Sequence, residues 1–297
     1  MNKEKLYLFI KLAELKHFHR AAETCHVSPS KLSRSIQAIE EELNVRLFER
    51  TNRSVELTAE GLHFLKFSRE EIKRWQTLKD KLQEQQAELS GRVSIFCSVT
   101  ASYSFLYDIL DKFRRTHPLI QVTLHTGDSA QAIERVNLGH EDLAITALPD
   151  QLEPKLSFKQ FSESPLVFIA AKKDKRFSSL IEEKGNKAWP EIPMILSEHG
   201  LARTRFDRWV AKKKFDPQIY SEVSGNEAIV SMVSLGFGIG LVPQIVIDNS
   251  PLKKRVSLFR VQPDIPAYKV GVCVQSSRLQ SPIVSALWQL IPGLEQV

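Results

Sequence analysis

Cysteine is scarce in this chain. Cys25, Cys97 and Cys273 are the three among 297 residues, an odd number with no two close together. That excludes a disulfide framework and points to a reducing compartment, where the three serve as small core residues. There are eight histidines, and no CxxC or HxxxH spacing accompanies His17, His19, Cys25 and His26, so no metal site is expected. Long apolar runs are missing too. Residues 229–247 carry no charge, but Gly236, Gly238, Gly240 and Pro243 interrupt them. A buried helix passing through a glycine turn into a buried strand explains that stretch better than a membrane span. At the N-terminus, Lys3, Glu4, Lys5, Lys11 and Glu14 leave no apolar core for a signal peptide. A cytoplasmic protein with no membrane partner is the expectation.

Catalytic signatures are also lacking. No GxSxG elbow, Walker loop or carboxylate pair placed for hydrolysis occurs. The glycines at 236, 238 and 240 are spaced GxGxG and precede a strand rather than open a helix, which argues against a nucleotide loop. An enzyme is the least supported class, and no cofactor is implied. The net charge of +6 permits an anionic partner without demanding one.

What the chain does have is a change of pattern near residue 90. Residues 1–58 read as short helices. Leu6, Leu8, Phe9, Leu12 and Ala13 form the first apolar stripe, and Phe18, Ala21, Ala22 and Cys25 the second. A third helix from Ser28 buries Leu32, Ile36, Ile39 and Leu43. Val45, Leu47 and Phe48 then look buried, and a small basic hairpin follows with Thr51-Asn52-Arg53 at its tip. Thr58 is suited to cap a long helix over 59–90. Trp75, Leu82 and Leu89 recur on it every seven residues, with Leu65 and Ile72 on a neighbouring stripe, which suggests dimerisation; a helix packed on its own domain is the competing reading.

The start of the third helix crowds Ser28, Ser30, Lys31, Ser33, Arg34 and Gln37 together. Serine is a poor interior helix residue but a good cap. Helix, tight turn, helix is an arrangement whose second helix can enter the DNA major groove by its N-terminal residues. Short hydroxyls and free N–H groups approach phosphates closely. Arg34 and Gln37 can reach guanine or adenine edges, Lys31 adds charge, and Arg50 and Arg53 can hold phosphates or enter a narrow minor groove. An ordinary solvated surface is the competing reading.

From residue 91 strands and helices alternate, implying parallel sheet with crossover helices. Strands are expected over 92–99, 120–126, 142–148, near 218–223 and at YKVGVCVQ, with helices over 201–213, 227–235 and 282–290. Two α/β halves with a late return of the chain suggest two lobes: about 91–161 with 267–297, and about 162–266.

The stretch from Phe18 to Gly61 resembles the winged helix-turn-helix of LysR-type transcriptional regulators. The matching residues are Ala21-Ala22, Ser33-Arg34, Ile36, Leu43, Leu47-Phe48, Arg50, Leu57-Thr58 and Gly61. The resemblance covers the whole chain: an all-α winged head, a linker helix and a two-lobed effector domain like periplasmic solute-binding proteins. Many members carry Gln-Pro where this chain has Pro29-Ser30, so a base contact from that glutamine does not transfer, whereas Ser33, Arg34 and Arg53 do. LSGRVSIFCSVTASYSFLYDIL and GNEAIVSMVSLGFGIGLVP are similar to the LysR-type activators of isoleucine–valine biosynthesis. This implies a homodimer or homotetramer on double-stranded operator DNA, contact with RNA polymerase, and 2-acetolactate or 2-aceto-2-hydroxybutyrate as co-inducer. A regulator of another pathway, or a cytoplasmic solute-binding module, is the alternative.

Such ligands are small, anionic and rich in oxygen, and need N–H groups, hydroxyls and a cation in a cleft. Ser98, Thr100, Ala101 and Ser102 after the first strand, Thr126 after the second, Thr146, and Ser224 with Gly225 before a helix are the candidates. Arg203 is the candidate carboxylate partner, with Arg205 its competitor. The competing reading of each hydroxyl is helix capping.

Overall fold

Asn2 starts the chain's first helix by accepting a hydrogen bond from the Glu4 N–H on its side chain. In the N-terminal part, helices α1 (Lys3–Leu15), α2 (Phe18–Thr24) and α3 (Pro29–Leu43) are followed by a hairpin of β1 (Phe48–Arg50) and β2 (Val55–Leu57), then by α4 (Ala59–Gln83). This is a computed structural model; it describes residues 2–50, 54–83, 89–259, 261 and 264–293. By contact the chain divides into two units, Met1–Ala87 with Leu138–His140, and Glu88–Asn137 with Glu141–Val297.

The head has its own core. Phe9, Leu12, Ala21, Ala22, Leu32, Ile36 and Ile39 are fully buried, and Phe9 meets Phe48 and Phe64 at ring distances of 5.1 and 4.7 Å. The alanines of α2 leave α3 room to pack closely. Leu43 and Val45, expected inside, are 41% and 39% exposed, because the chain turns at Asn44 in the left-handed region as α3 ends. Thr58 accepts the Gly61 N–H at 2.9 Å and caps α4 as anticipated.

The dimerisation stripe needs correction. Leu65 is buried in the head core and Ile72 packs against it, so both face inward. Helix α4 is described only to Gln83, and Leu89 is not helical but packs against the core of the C-terminal unit. The exposed apolar residues of α4 include Leu62, Phe67, Trp75, Leu78 and Leu82.

The C-terminal unit opens with β3 (Gly91–Cys97) and α5 (Val99–Ala101), which runs through a π turn (Ser102–Leu106) into α6 (Tyr107–Thr116). Then come β4 (Ile120–Thr126), α7 (Ala132–Asn137), β5 (Leu143–Ala147), β6 (Leu156–Ser164), β7 (Leu166–Ala171) and α8 (Arg176–Lys184). The chain continues through β8 (Pro193–Ser197), α9 (Leu201–Lys213), β9 (Gln218–Val223), α10 (Asn226–Ser234) and β10 (Ile239–Pro243). It closes with α11 (Gln244–Asp248), β11 (Val256–Phe259), β12 (Tyr268–Gln275) and α12 (Pro282–Leu290).

Two five-stranded sheets result, ordered β4-β3-β5-β12-β6 and β11-β7-β10-β8-β9, and they define a first and a second lobe. Neither is purely parallel as expected. β12 pairs antiparallel with β5 and β6, and β10 antiparallel with β7, because the chain crosses between lobes through β6 and back through β12. The GxGxG run is explained by packing: a Cβ at Gly240 would lie 2.4 Å from Ile229 Cγ2, so glycine lets α10 approach β10. Phe168, Trp189, Phe206 and Trp209 fill the second lobe, with Trp189 edge-on to Trp209 at 4.9 Å. Cys97 and Cys273 are buried, which pushes their thiols up to about 11 and about 12, so neither is a nucleophile at neutral pH.

Candidate functional site

Two surfaces collect the residues singled out by the sequence. On the first, Ser28 caps α3 by accepting the Lys31 N–H at 3.2 Å, and Pro29 occupies the first helical position, where its missing N–H costs nothing. Ser28 and Ser30 hydroxyls lie 3.1 Å apart. Ser28, Ser30, Lys31, Arg34 and Gln37 are exposed, Ser33 is half-buried, and Leu32 and Ile36 point into the core. Arg34 Nε donates to Ser30 O at 3.3 Å, which lays the guanidinium along the helix start.

Two of the basic residues are held by the fold. Lys31 Nζ pairs with Glu4 Oε1 at 2.6 Å. Arg50 pairs with Glu40 Oε2 at 2.8 Å and sits 5.2 Å over the Phe18 ring. Both exist near the helix end, but their charge is partly neutralised. Arg53, at the hairpin tip, lies outside the described residues.

The second surface is a cleft between the lobes of the C-terminal unit. Its wider part, about 240 Å³, is bordered by Asp128, Thr146, His199, Gly200, Asn226 and Tyr268. A narrower end of about 50 Å³ shares Thr146, Asn226 and Tyr268 and adds Ser98, Thr100 and Ala101. The starts of α9 and α10 border the cleft, so their first N–H groups face it. Ser98 accepts the Ala101 N–H at 3.1 Å and caps α5. Burial pushes the Tyr268 phenol upward, so it stays an uncharged hydroxyl.

Other expected residues are placed elsewhere. Ser102 donates to Val99 O at 2.6 Å and does not border the cleft, and Thr126 is exposed at the end of β4. Ser224 donates to Asp128 Oδ2 at 3.0 Å, and Gly225, at φ +86°, makes the turn that delivers Asn226. Arg203 is turned away: Nε donates to Asp207 at 3.0 Å, and Nη1 to Ser197 O and Glu222. Arg205 holds the backbone oxygens of Pro266 and Ala267 at 2.8 and 2.7 Å. Among the described residues no lysine or arginine borders the cleft, and its carboxylates are Asp128 and Glu153, with the imidazole of His199 beside them.

Sequence reasoning missed Tyr268, Ser129 and Glu227. Glu227 was detectable as an acidic first-turn residue after Ser224-Gly225-Asn226; its Oε1 accepts the Thr100 N–H and hydroxyl. Tyr268 reaches the cleft through the return of β12 into the first-lobe sheet, where it pairs opposite Ser164 of β6, which no local pattern reveals. Among the described residues no group of three His, Cys, Asp or Glu side chains could hold a metal ion, and no helix is long and apolar enough to cross a membrane.

Residues 4–62 match the family described as bacterial regulatory helix-turn-helix protein, lysR family, and residues 86–293 match the LysR substrate binding domain. The HTH-type transcriptional activator IlvY of Salmonella typhimurium is 40% identical over 296 residues, covering 99% of this chain and 100% of its own. The HTH-type transcriptional regulator IlvY of Escherichia coli is 40% identical over 297 residues, covering 99% of each. Among solved structures, full-length OxyR from Pseudomonas aeruginosa has a TM-score of 0.70 at 22% identity, covering 98% of this chain and 94% of that one. Full-length CbnR complexed with its target DNA has a TM-score of 0.61 at 20% identity, covering 98% and 99%. With a capped, exposed α3 in one unit and a two-lobed cleft in the other, the chain belongs to the LysR family of transcriptional regulators.

Proposed function

We propose that the chain activates genes of branched-chain amino-acid biosynthesis and takes 2-acetolactate or 2-aceto-2-hydroxybutyrate as co-inducer. The observation that carries this is identity along the full chain with activators called IlvY. The cleft supports it: about 240 Å³ bordered by hydroxyls, an amide and helix-start N–H groups suits a small, oxygen-rich molecule. Ser98, Thr100, Ala101, Thr146 and Asn226 are its contacts in this reading. Ser28, Ser30, Ser33, Arg34 and Gln37 meet DNA, with Lys31, Arg50 and Arg53 adding phosphate contacts. Self-association uses the exposed face of α4, and the activator reading makes RNA polymerase a partner.

The test is a gel shift of the full-length chain on DNA upstream of the isomeroreductase gene of its own genome, over a range of salt. A complex that is specific and weakens steeply with salt is expected, together with a rise in melting temperature on adding acetolactate. Equal affinity for random DNA would remove the regulator-of-this-gene reading. One observation favours a second effector class: the cleft has no lysine or arginine border among the described residues. An uncharged, hydroxyl-rich metabolite raising the melting temperature where acetolactate does not would decide for a LysR-type regulator of another pathway.

A further inference from the structure

At the narrow end of the cleft, two donors of one residue meet one acceptor. Thr100 N–H and the Thr100 hydroxyl donate to Glu227 Oε1 at 3.2 and 2.6 Å. Thr100 is 7% exposed and belongs to the first lobe, while Glu227 lies in the first turn of α10 in the second. Asp128 makes the reciprocal contact: from the first lobe its Oδ2 accepts the Ser224 hydroxyl at 3.0 Å, just before α10. The N-terminal end of α10 is therefore held to the first lobe by two carboxylates, one from each lobe.

The charges of the cleft make this contact consequential. Asp128 and Glu153 border it, and His199 is its basic side chain among the described residues. An anion entering the narrow end would seek the N–H and hydroxyl of Thr100, and Glu227 already uses both. A second carboxylate there would face the charge of Glu227 at hydrogen-bonding distance; Thr100 is buried but Glu227 is exposed, so solvent screens part of the repulsion.

We propose that Glu227 is a built-in competitor of an anionic effector: the effector carboxylate takes over Thr100 and releases Glu227, and so removes one of the two contacts that hold the start of α10 to the first lobe, leaving that of Asp128 with Ser224. This rests on the effector reading above and adds to it how occupancy of the cleft alters the contact between lobes. Hydrogen bonds to a carboxylate are about twice as strong as neutral ones, so glutamine at this position competes less well.

The experiment compares the full-length chain with Glu227→Gln, and with Glu227→Asp, which keeps the charge but shortens the reach to Thr100. Calorimetric titration with 2-acetolactate, and with acetoin as its uncharged counterpart lacking the carboxylate, gives the affinities. Amide hydrogen exchange at Thr100 without ligand reads the latch itself. Both variants should bind acetolactate about fivefold or more tightly than the parent, leave acetoin unchanged, and exchange the Thr100 amide faster. Acetolactate binding that is equal in all three proteins, or weaker in the variants, overturns the competition while leaving the effector reading intact. Unchanged exchange at Thr100 also overturns it. Acetolactate binding to none of the three removes the effector reading, and the competition falls with it.

Discussion

Glu40 and Arg50 form an ion pair at 2.8 Å, and the other oxygen of Glu40 accepts the N–H groups of Leu47 and Phe48 at 2.9 and 3.2 Å. One carboxylate on α3 thus fixes the start of the hairpin against that helix. Acidic residues late in α3 look unfavourable for DNA binding, yet this one orders the wing. Glu40→Ala should cost the head about 1–3 kcal/mol, since it leaves two backbone donors without their acceptor. Glu40→Gln, which keeps one acceptor, should cost less. Urea unfolding of the full-length chain measures both, and equal losses would refute the hydrogen-bond account.

Arg34 lies exposed beside Ser30 at the start of α3. Arg34→Ala should weaken binding to a specific operator by about 1–3 kcal/mol while changing affinity for random DNA little. Lys31→Ala should act differently, because Lys31 is shared with Glu4: a modest, sequence-independent loss with a shallower salt slope is expected. Gel shifts on operator and scrambled duplexes separate the two. Parallel losses for Arg34→Ala would leave it a phosphate contact only.

The exposed face of α4 makes a third prediction. Trp75, Leu78 and Leu82 are 48%, 47% and 70% exposed, and Lys3 Nζ lies 3.5 Å over the Trp75 ring. Burying three such side chains between copies would contribute several kcal/mol, at about 25 cal/mol per Å². Leu78→Asp should lower the oligomeric state seen by sedimentation, whereas Leu65→Asp should unfold the head, because Leu65 is part of its core. A full-size oligomer with Leu78→Asp would exclude this face.

What the sequence made legible was local. The helix over 201–213, the strand at 268–275 and the Thr58 cap appear where periodicity and capping residues place them. What it concealed depended on three-dimensional pairing. A seven-residue spacing cannot tell the side of a helix that packs on its own domain from the side that meets a partner, so Leu65 and Ile72 were misassigned. An arginine in a helix's first turn looks available to a ligand until Asp207 and Glu222 are found on either side of it, as with Arg203. The antiparallel return of β12, which carries Tyr268 to the cleft, needs the whole topology.

That misassignment has a measurable consequence. Arg203→Ala should leave effector affinity unchanged and lower stability by about 1 kcal/mol or less, since its acidic partners are solvent-exposed. Thr146→Val should instead weaken effector binding severalfold by removing a hydroxyl that borders the cleft, with a loss of about 0.5–1.5 kcal/mol. Titration of each variant with acetolactate decides. Abolished binding in Arg203→Ala would return the carboxylate-partner role to that arginine.

Asp150, in the loop after β5, links the lobes through α9, hydrogen-bonding Arg208 and lying 3.7 Å from Arg205 Nη2. The hydrogen bond from Arg208 and the charges of both arginines hold its carboxyl below the usual carboxylate range. The folded pKa is thus lower than the unfolded one, so the native state binds its proton less readily than the unfolded chain. The contribution is fully present above the unfolded value of about 3.9 and is lost as pH falls through the folded value. Asp150→Asn removes this dependence and, with it, the ionic link, so the variant should be less stable at neutral pH but lose less on acidification below about pH 4. Asp174, also lowered by its arginine neighbour, continues to titrate in the variant, so the curve flattens rather than becoming level. Thermal unfolding between pH 3 and 7 makes the comparison. Parallel curves for parent and variant would mean that the Asp150 link contributes nothing to holding the lobes.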